Sequence, residues 1–398
     1  MASSTDSAWY RLQRMALAVG VVGLGLCALG AMLRPGPVLR SYLVAHSYWL
    51  GIALGSLAIL MVLHLTGGPW GLAIRRILES ATRTLPLLLL LFLPILTGLD
   101  AIYPWTRASE VSGDPVLEHK SQYLNVPAFL IRAAVYFAIW LALAYLLNRW
   151  SRREEQSGDP RLAGRMRRLS GPGLVLYGLS MTFAAVDWVM SLEPHWFSTI
   201  FAVVFGIGQV LAAMSFAVTV LFLLGSRPPL GTLVSPAVCR DLGNLLLTVV
   251  MFWAYTAFAQ FLLIWAANLP EEIAWYRPRF AGGWLWVAVF LILCQFALPF
   301  VFLLFRRTKN DLRHLSRLAA FLLATCFVNL FWQIAPAGPS DGALGGLLDL
   351  GYGLDVLASL AAMLGVGGFW IAVFLGQLQR MPLVPLRAAG AGEGDAHG

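Results

Sequence analysis

Long apolar stretches alternate with short polar connections along nearly the whole chain. A bilayer core about 30 Å thick is crossed by a helix of roughly 20 predominantly apolar residues. Ten stretches approach or exceed that length: 15–33, 42–65, 85–103, 127–147, 173–192, 196–224, 242–267, 283–304, 318–332 and 354–378. The pattern predicts an all-α polytopic integral membrane protein with ten transmembrane helices, arranged as two four-helix bundles plus two flanking helices.

Arginine and lysine lie mostly on alternate connections between these stretches. If both termini face the cytoplasm, 21 of the 28 basic residues lie on that side, seven of them in the connection 149–168. Because basic loops tend to remain in the cytoplasm, the asymmetry predicts an N-in, C-in topology. Residues 381–398 are then expected to form a flexible cytoplasmic tail.

Composition agrees with residence in a bilayer, since 59% of the residues are hydrophobic and 12% are charged. The net charge of +8 comes from short loops beside helix ends, so it indicates topology and excludes a nucleic-acid-binding role. No connection is long enough for an independent core. The chain is therefore predicted to be a single transmembrane domain, and any catalytic or redox domain is expected to come from another chain.

Cysteine and histidine spacing gives no cofactor motif. The four cysteines are isolated, without the CxxC, CxxCH or iron–sulfur spacings. The six histidines offer no pair at similar depth that could hold a haem. We therefore expect no metal or redox centre in this chain.

Ionisable residues within hydrocarbon are costly and mark candidate functional sites. Asp187 lies about two-thirds of the way across the fifth stretch, and Tyr177, Ser180 and Ser191 share its helix face. This polar stripe suits a proton path, although Asp187 could instead hydrogen-bond a neighbouring helix. Burial is expected to keep Asp187 protonated unless a neighbouring helix supplies a donor or a cation.

Further candidates lie near the two membrane surfaces. His64 ends the second stretch on the cytoplasmic side, where it either caps the helix or takes up protons. Thr256 and Gln260 continue a polar ridge on the seventh stretch. Asp100, Glu193 and His195 are expected at the outer surface, with simple solvation as the alternative to a proton-transfer role.

The connection after the seventh stretch predicts a short interfacial helix. Asn268 and Glu271 have capping-box spacing, and Pro270 suits the first helical turn. Glu271 and Glu272 are either structural caps or exit-side proton acceptors.

Two glycine patterns add structural expectations. Gly51 and Gly55 form a GxxxG pair, which predicts close helix packing. The second and sixth stretches both enter the membrane from outside with a histidine, His46 and His195, followed by aromatic residues and glycines. This weak similarity leaves an internal duplication open.

Several motifs together resemble a known family. They are the GxxxG pair followed by HLTGGPWG at 64–71, DWVMSLEPHWFST at 187–199, FWAYTAFAQFLLIW at 252–265 and NLPEEIAWY at 268–276. The chain resembles the ActF-type membrane subunits of alternative complex III, the bacterial quinol:cytochrome c oxidoreductase, within the NrfD/polysulfide-reductase-like family. The resemblance covers nearly the whole ten-helix region.

The resemblance implies a cofactor-free subunit of a bacterial inner-membrane complex, with a proton-conducting path. Its expected partners are an NrfD-like sister subunit (ActC), a multihaem cytochrome c subunit, an iron–sulfur subunit and smaller subunits, with a terminal oxidase as a further candidate. Haem c and iron–sulfur clusters would belong to those partners, and the complex would oxidise menaquinol or another quinol. Two alternatives remain open, namely a direct quinol-binding subunit and a secondary transporter.

Overall fold

The computed structural model describes the backbone of residues 4–225, 234–337 and 350–382. Within these residues, ten helical stretches are long and apolar enough to cross a membrane, which confirms the all-α polytopic membrane fold. The expected tail lies almost wholly outside the described residues. The main helices are α1 (Ser4–Leu33), α2 (Pro35–Thr66), α3 (Pro69–Thr82), α4 (Val126–Ser157), α5 (Pro160–Trp188), α6 (Phe201–Leu224), α7 (Pro236–Ala267), α8 (Gly283–Leu291), α9 (Leu312–Ile334) and α10 (Leu350–Leu378).

Shorter elements extend or connect these helices. Leu85–Leu90, Leu93–Thr97 and Leu99–Ile102 continue α3, while the π-helical segment Ile292–Ala297 and the helix Leu298–Leu304 continue α8. The connections contain Pro104–Thr106, Ala108–Val111, Pro115–Lys120, Met190–Leu192, Pro270–Ile273, Tyr276–Arg279 and Arg306–Asn310.

The helix boundaries follow from capping chemistry. Asn125, Asp159 and Ser235 each accept a hydrogen bond from a backbone N–H in the first turn of α4, α5 and α7, and a proline follows each of them at the start of its helix. Gly158 ends α4 in the left-handed conformation, with φ 67°. These signals set a two-residue turn between α4 and α5.

The predicted capping box after the seventh helix is wrong. Asn268 instead ends α7 in the left-handed conformation, with φ 50°, and its N–H donates to the carbonyl of Ile264. The short helix Pro270–Ile273 does form with proline in its first turn, but Leu269 precedes it without a side-chain cap. Asparagine tolerates the left-handed region, so it ends one helix rather than beginning the next.

The third crossing differs from its predicted bounds, because the helical stretch begins at Pro69 rather than Leu85 and is interrupted. Proline lacks an N–H, so turns before Pro86 and Pro94 tighten and free carbonyl groups. Two of these carbonyls, on Leu88 and Leu91, accept hydrogen bonds from His46 Nε2 at 2.9 Å and Tyr42 Oη at 2.7 Å. His46 therefore lies inside α2, not at its start as the sequence suggested, and fastens α3 to α2.

The helices pack as two groups. In the first, α2 contacts α3 and α5, and α4 contacts α5; in the second, α6 contacts α7 and α9, and α8 contacts α9. Helix α1 packs along α10, and both contact α2. Because α2 packs at least as closely against α6 and α10 as against α3 and α5, the division into two four-helix bundles and two flanking helices stays a prediction. We call the end of the molecule that carries the arginines of 149–168 the inner end and the opposite end the outer end.

The two groups meet where α2 crosses α6. A Cβ atom added at Gly55 would lie 2.3 Å from the backbone oxygen of Gln209, and one added at Gly51 would lie 3.0 Å from Gln209 Cγ. The expected close packing at the GxxxG pair is confirmed. Contacts of this kind replace the hydrophobic effect as the force between helices in lipid.

We expect Gly55→Ala to destabilise the folded protein by about 1–3 kcal/mol, because the backbone of α6 would have to move. Gly178→Ala on α5 is the matched control, since nothing lies within 4 Å of its added Cβ. Thermal unfolding in detergent can be followed by a thiol-reactive dye, because Cys27, Cys239 and Cys326 are buried. Equal melting temperatures for the two variants would contradict the close approach of α2 and α6.

Candidate functional site

Charged side chains inside the bundle gather at its two ends. Helix α4 has 32 residues and is about 48 Å long, which exceeds the roughly 30 Å apolar core of a bilayer. Its first turns lie at the outer end, and its last ten residues extend past the apolar layer at the inner end. The depth of the other groups can be read from their contacts with α4.

Asp187 lies at the outer end, where it pairs with Arg132 of α4. The guanidinium donates two hydrogen bonds to the carboxylate, from Nε to Oδ2 at 2.8 Å and from Nη2 to Oδ1 at 3.0 Å. Tyr136 Oη donates to Oδ2 at 2.7 Å. The Arg132 guanidinium also stacks on the Tyr123 ring, 3.9 Å from its centroid, and donates to the Tyr123 carbonyl.

This pairing changes the expectation for Asp187. The residue is fully buried, and a neighbouring helix supplies both a cation and a hydroxyl donor, which is the exception that the sequence analysis left open. The bidentate guanidinium and the carboxylate form two charge-assisted hydrogen bonds. Asp187 is the penultimate residue of α5, which places it nearer the outer surface than the sequence suggested.

The other members of the α5 stripe each have a separate partner. Tyr177 Oη donates to Gln209 Oε1 at 3.3 Å, and Ser180 Oγ accepts from Trp140 Nε1 at 2.9 Å. Ser191 Oγ donates to the backbone carbonyl of Asp187 rather than to its carboxylate. The stripe residues therefore contact two neighbouring helices, α4 and α6, and no side chain of the stripe hydrogen-bonds the side chain of another.

A second ion pair joins Glu193 to Arg279 at the outer end. Arg279 is fully buried and donates to Glu193 Oε1 at 3.0 Å and to the Gln333 carbonyl of α9 at 2.7 Å. Its guanidinium lies 3.7 Å from the ring centroid of Trp275, which stacks on Trp196. Burial raises the pKa of Glu193 above its ordinary range, and the charge of Arg279 opposes that rise without cancelling it.

The remaining outer candidates are more exposed. His195 pairs with Asp114 on the surface, and Asp100 is exposed in the helix Leu99–Ile102. Glu271 is exposed, and Glu272 contributes its backbone carbonyl, which accepts from Trp196 Nε1 at 3.0 Å.

The polar ridge of α7 makes local contacts. Thr256 donates to the carbonyl of Phe252, one turn earlier in its own helix. Gln260 Nε2 donates to Tyr276 Oη at 3.2 Å, and Gln260 Oε1 accepts from Ser198 at 3.3 Å. Gln260 thus binds the outer loop and links it to the start of the sixth crossing.

A third ionic cluster lies at the inner end and centres on Glu79 of α3. This carboxylate is almost fully buried and accepts from Arg75 at 2.9 Å, Arg76 at 2.7 Å and Ser151 at 2.6 Å. His64 lies beside the cluster and interacts electrostatically with Arg75 and Glu79. Its Nε2 is buried without a hydrogen-bond partner among the described residues.

The same arginines reach α4. Arg75 donates to Glu154 at 2.8 Å, and Arg76 pairs closely with Glu155. Arg83 donates to Asn148 at 2.8 Å. Because these α4 residues follow its apolar part, the cluster lies at the inner rim of the bilayer rather than at its centre.

Between the two ends, α2, α6 and α9 line a small cavity of about 30 Å³ whose walls are largely apolar. Its polar lining consists of Ser47, Gln209, Asn329 and Gln333, with Tyr48 and Cys326 beside them. Ser47 Oγ and Gln333 Oε1 are buried without partners among the described residues. A cavity of this size has room for one or two water molecules, which would satisfy these atoms.

The cavity is connected to groups on both sides. Gln209 accepts from Tyr177 of α5, and the Gln333 backbone carbonyl accepts from Arg279 of the outer ion pair. The sequence analysis did not select Glu79, Arg132 or Arg279. The available signals were an Arg-Arg-x-x-Glu spacing for Glu79 and an arginine six residues into an apolar helix for Arg132.

Comparison of the chain with models of known protein families gives no match, and no curated protein is significantly similar to it. The family suggested by the sequence motifs therefore stays a proposal.

We expect Arg132→Gln to destabilise the protein more than Asp187→Asn. The first change leaves a fully buried carboxylate without its cation, at a cost of about 3–5 kcal/mol, whereas the Arg132 side chain is 19% exposed and can reach water. The double variant Arg132→Gln/Asp187→Asn should recover part of the loss. Thermal unfolding of the three variants in detergent measures this order, and equal small losses would show that the pair contributes little.

The raised pKa of Glu193 predicts a carboxyl group that keeps its proton above the pH range in which a glutamate ordinarily loses it. Its contribution to stability is therefore full below the ordinary glutamate pKa and is lost as the pH rises through the raised value. Infrared difference spectra recorded against pH should show the protonated carboxyl band, and Glu193→Gln should abolish it. Arg279→Gln should shift the transition to still higher pH, and a shift to lower pH would contradict the pairing.

Proposed function

We propose that this chain is an integral membrane subunit of a bacterial respiratory quinol:cytochrome c oxidoreductase of the alternative complex III type. It supports assembly of the complex and conducts protons through its interior. The proposed role in proton transfer is supported by the distribution of buried polar groups, which occur at the inner rim, in the central cavity and at the outer rim. The assignment to this complex is supported by the sequence motifs.

The inner cluster supplies a site for proton uptake. His64 has an unpartnered ring nitrogen beside the Arg75–Glu79 pair, so it can exchange a proton without breaking a described hydrogen bond. Arg75 and Glu79 both lie near its ring, so the imidazole is exposed to charges of both signs.

The cavity supplies the central part of the path. Water held by Ser47, Gln209 and Gln333 can pass a proton along hydrogen bonds, because each of these groups can accept or donate. Tyr177 extends this chain of polar groups into the first bundle through its bond to Gln209.

The outer ion pair supplies the exit. Arg279 contacts Gln333 through the backbone, and Glu193 has the raised pKa that suits a proton acceptor at the outer surface. We assign Asp187 a fixed negative charge opposite Arg132, which orders the outer ends of α4 and α5. Asp100, His195, Glu271 and Glu272 would then lie in the surface region that receives the proton.

Redox chemistry is assigned to partner subunits. Haem c, iron–sulfur clusters and menaquinol or another quinol would bind the multihaem cytochrome, the iron–sulfur subunit and the ActC-like sister subunit. The complex would lie in the bacterial cytoplasmic membrane, and this chain would contribute protons and structure rather than electrons.

One observation favours the secondary-transporter alternative. Transporter sites are often built from discontinuous helices, and here the third crossing is interrupted and the eighth contains a π-helical segment. However, the carbonyls freed at Leu88 and Leu91 accept from His46 and Tyr42. They are therefore occupied by α2 rather than open to a coupling ion. The interruption is better explained as a joint between α2 and α3.

The proposed function predicts that the affinity-tagged chain, expressed in its native host and purified in mild detergent, carries stoichiometric haem c and iron–sulfur subunits. Quinol oxidation by that sample should reduce a cytochrome or an equivalent acceptor. The tagged chain expressed without the other subunits is the control, and it should contain no haem and should not oxidise quinol. Recovery of the chain from the native host as a lone protein would contradict the assignment.

A further inference from the structure

At the inner end, α4 and α5 continue beyond the apolar layer as a helical hairpin. The last ten residues of α4 and the first eleven of α5 each extend about 15 Å past their apolar segments. The turn between them is closed by Gly158 and capped by Asp159. Seven arginines lie on the hairpin, and all are exposed: Arg149, Arg152, Arg153, Arg161, Arg165, Arg167 and Arg168.

The acidic residues of this hairpin are already engaged elsewhere. Glu154 and Glu155 accept from Arg75 and Arg76 of α3, and the Asp159 carboxylate accepts from the Arg161 backbone N–H. Within the described parts of the chain, no carboxylate pairs with any of the seven arginines. The buried inner cluster thus neutralises the local glutamates and leaves the seven arginines with Asp159 as the one remaining carboxylate of the hairpin.

The hairpin is also shaped to receive a ligand. A groove of about 360 Å³ lies between its helices, with Arg153 on one wall and Arg165 on the other. Gln156, Ser157, Leu162 and the carboxylate of Asp159 line the same groove, so two guanidinium groups face one opposing charge there. Arginine presents a planar fork of N–H donors that matches phosphate oxygens, which a lysine ammonium does not.

The position of the surface identifies the source of the phosphate. Arg149 donates to Tyr145 Oη at 3.1 Å, and the Tyr145 side chain is 61% exposed on the lipid-facing side of α4. Exposed tyrosine is typical of the level of lipid headgroups. The arginines begin at that level and continue outward from it, so headgroup phosphates are the anions they meet first.

We propose that the α4–α5 hairpin binds the phosphate headgroups of anionic phospholipids in the adjacent leaflet. The Arg153–Arg165 groove holds one headgroup, and the remaining arginines attract further anionic lipids around it. This site is independent of the proposed redox complex, because it depends only on the hairpin and on its depth in the bilayer.

The test uses the full chain in neutral detergent and measures lipid binding by native mass spectrometry. The probes are phosphatidylglycerol, phosphatidylcholine and inorganic phosphate. The wild-type chain should retain phosphatidylglycerol at least about tenfold more tightly than phosphatidylcholine, and inorganic phosphate at equal concentration should not displace it. The triple variant Arg153→Gln/Arg161→Gln/Arg165→Gln should lose that preference.

A matched control removes the same charge elsewhere at the inner end. Arg306→Gln/Arg307→Gln/Arg313→Gln alters three exposed arginines outside the hairpin and should change the preference less than about twofold. The substitution of Arg153, Arg161 and Arg165 by lysine keeps the charge, so it should retain part of the binding while losing the bidentate contacts. Unfolding temperatures of all variants report whether each chain is folded.

Several outcomes would overturn the proposal. Equal losses in the hairpin and control variants would show that net charge alone attracts lipid. Displacement by inorganic phosphate would indicate a site for a soluble anion, and tight capture of an acidic protein without any lipid preference would indicate a docking surface for that protein.

Discussion

A charged side chain removed from water costs several kcal/mol unless an opposite charge and hydrogen bonds meet it, and a bilayer leaves no other way to satisfy it. The helices of this protein are joined by pairs that meet that condition. Arg132 and Asp187 join α4 to α5, and Glu79 joins α3 to α4 through its arginines and Ser151. Arg279 joins the outer loop to Glu193 and to the backbone of α9. Removal of Arg132 leaves the charge of Asp187 buried, and removal of Glu193 leaves the charge of Arg279 buried, so these joints also fix which helices can neighbour one another.

The number and approximate location of the crossings follow from the sequence because apolar length is a local property. The partners of buried polar residues do not, because they come from distant helices: Arg132 lies 55 residues before Asp187. Glu79 was not predicted because its helix precedes the apolar stretch and carries two arginines, with a third, Arg83, directly after it. The interruption of the third crossing could be predicted locally from Pro86 and Pro94. The hydrogen bonds from Tyr42 and His46 to the freed carbonyls could not, because these two residues lie on another helix.

The same ionic cluster links the proposed proton path to the lipid-facing surface. At the inner rim, Glu79 places negative charge beside His64, and the α3 arginines engage Glu154 and Glu155. The second arrangement leaves the hairpin arginines free for the proposed contacts with lipid phosphates. One set of ion pairs therefore borders both the proposed proton site and the proposed anion site.

The central claim is that protons cross through the cavity between α2, α6 and α9, and the proton-to-electron ratio of the reconstituted complex tests it most directly. Gln209→Leu and Gln333→Leu remove polar groups from the cavity, while Gln295→Leu removes a fully buried amide of the π-helical segment Ile292–Ala297 that does not line it. The account predicts a lower ratio for the two cavity variants with quinol oxidation preserved, and an unchanged ratio for Gln295→Leu. A normal ratio in normally assembled cavity variants would contradict it.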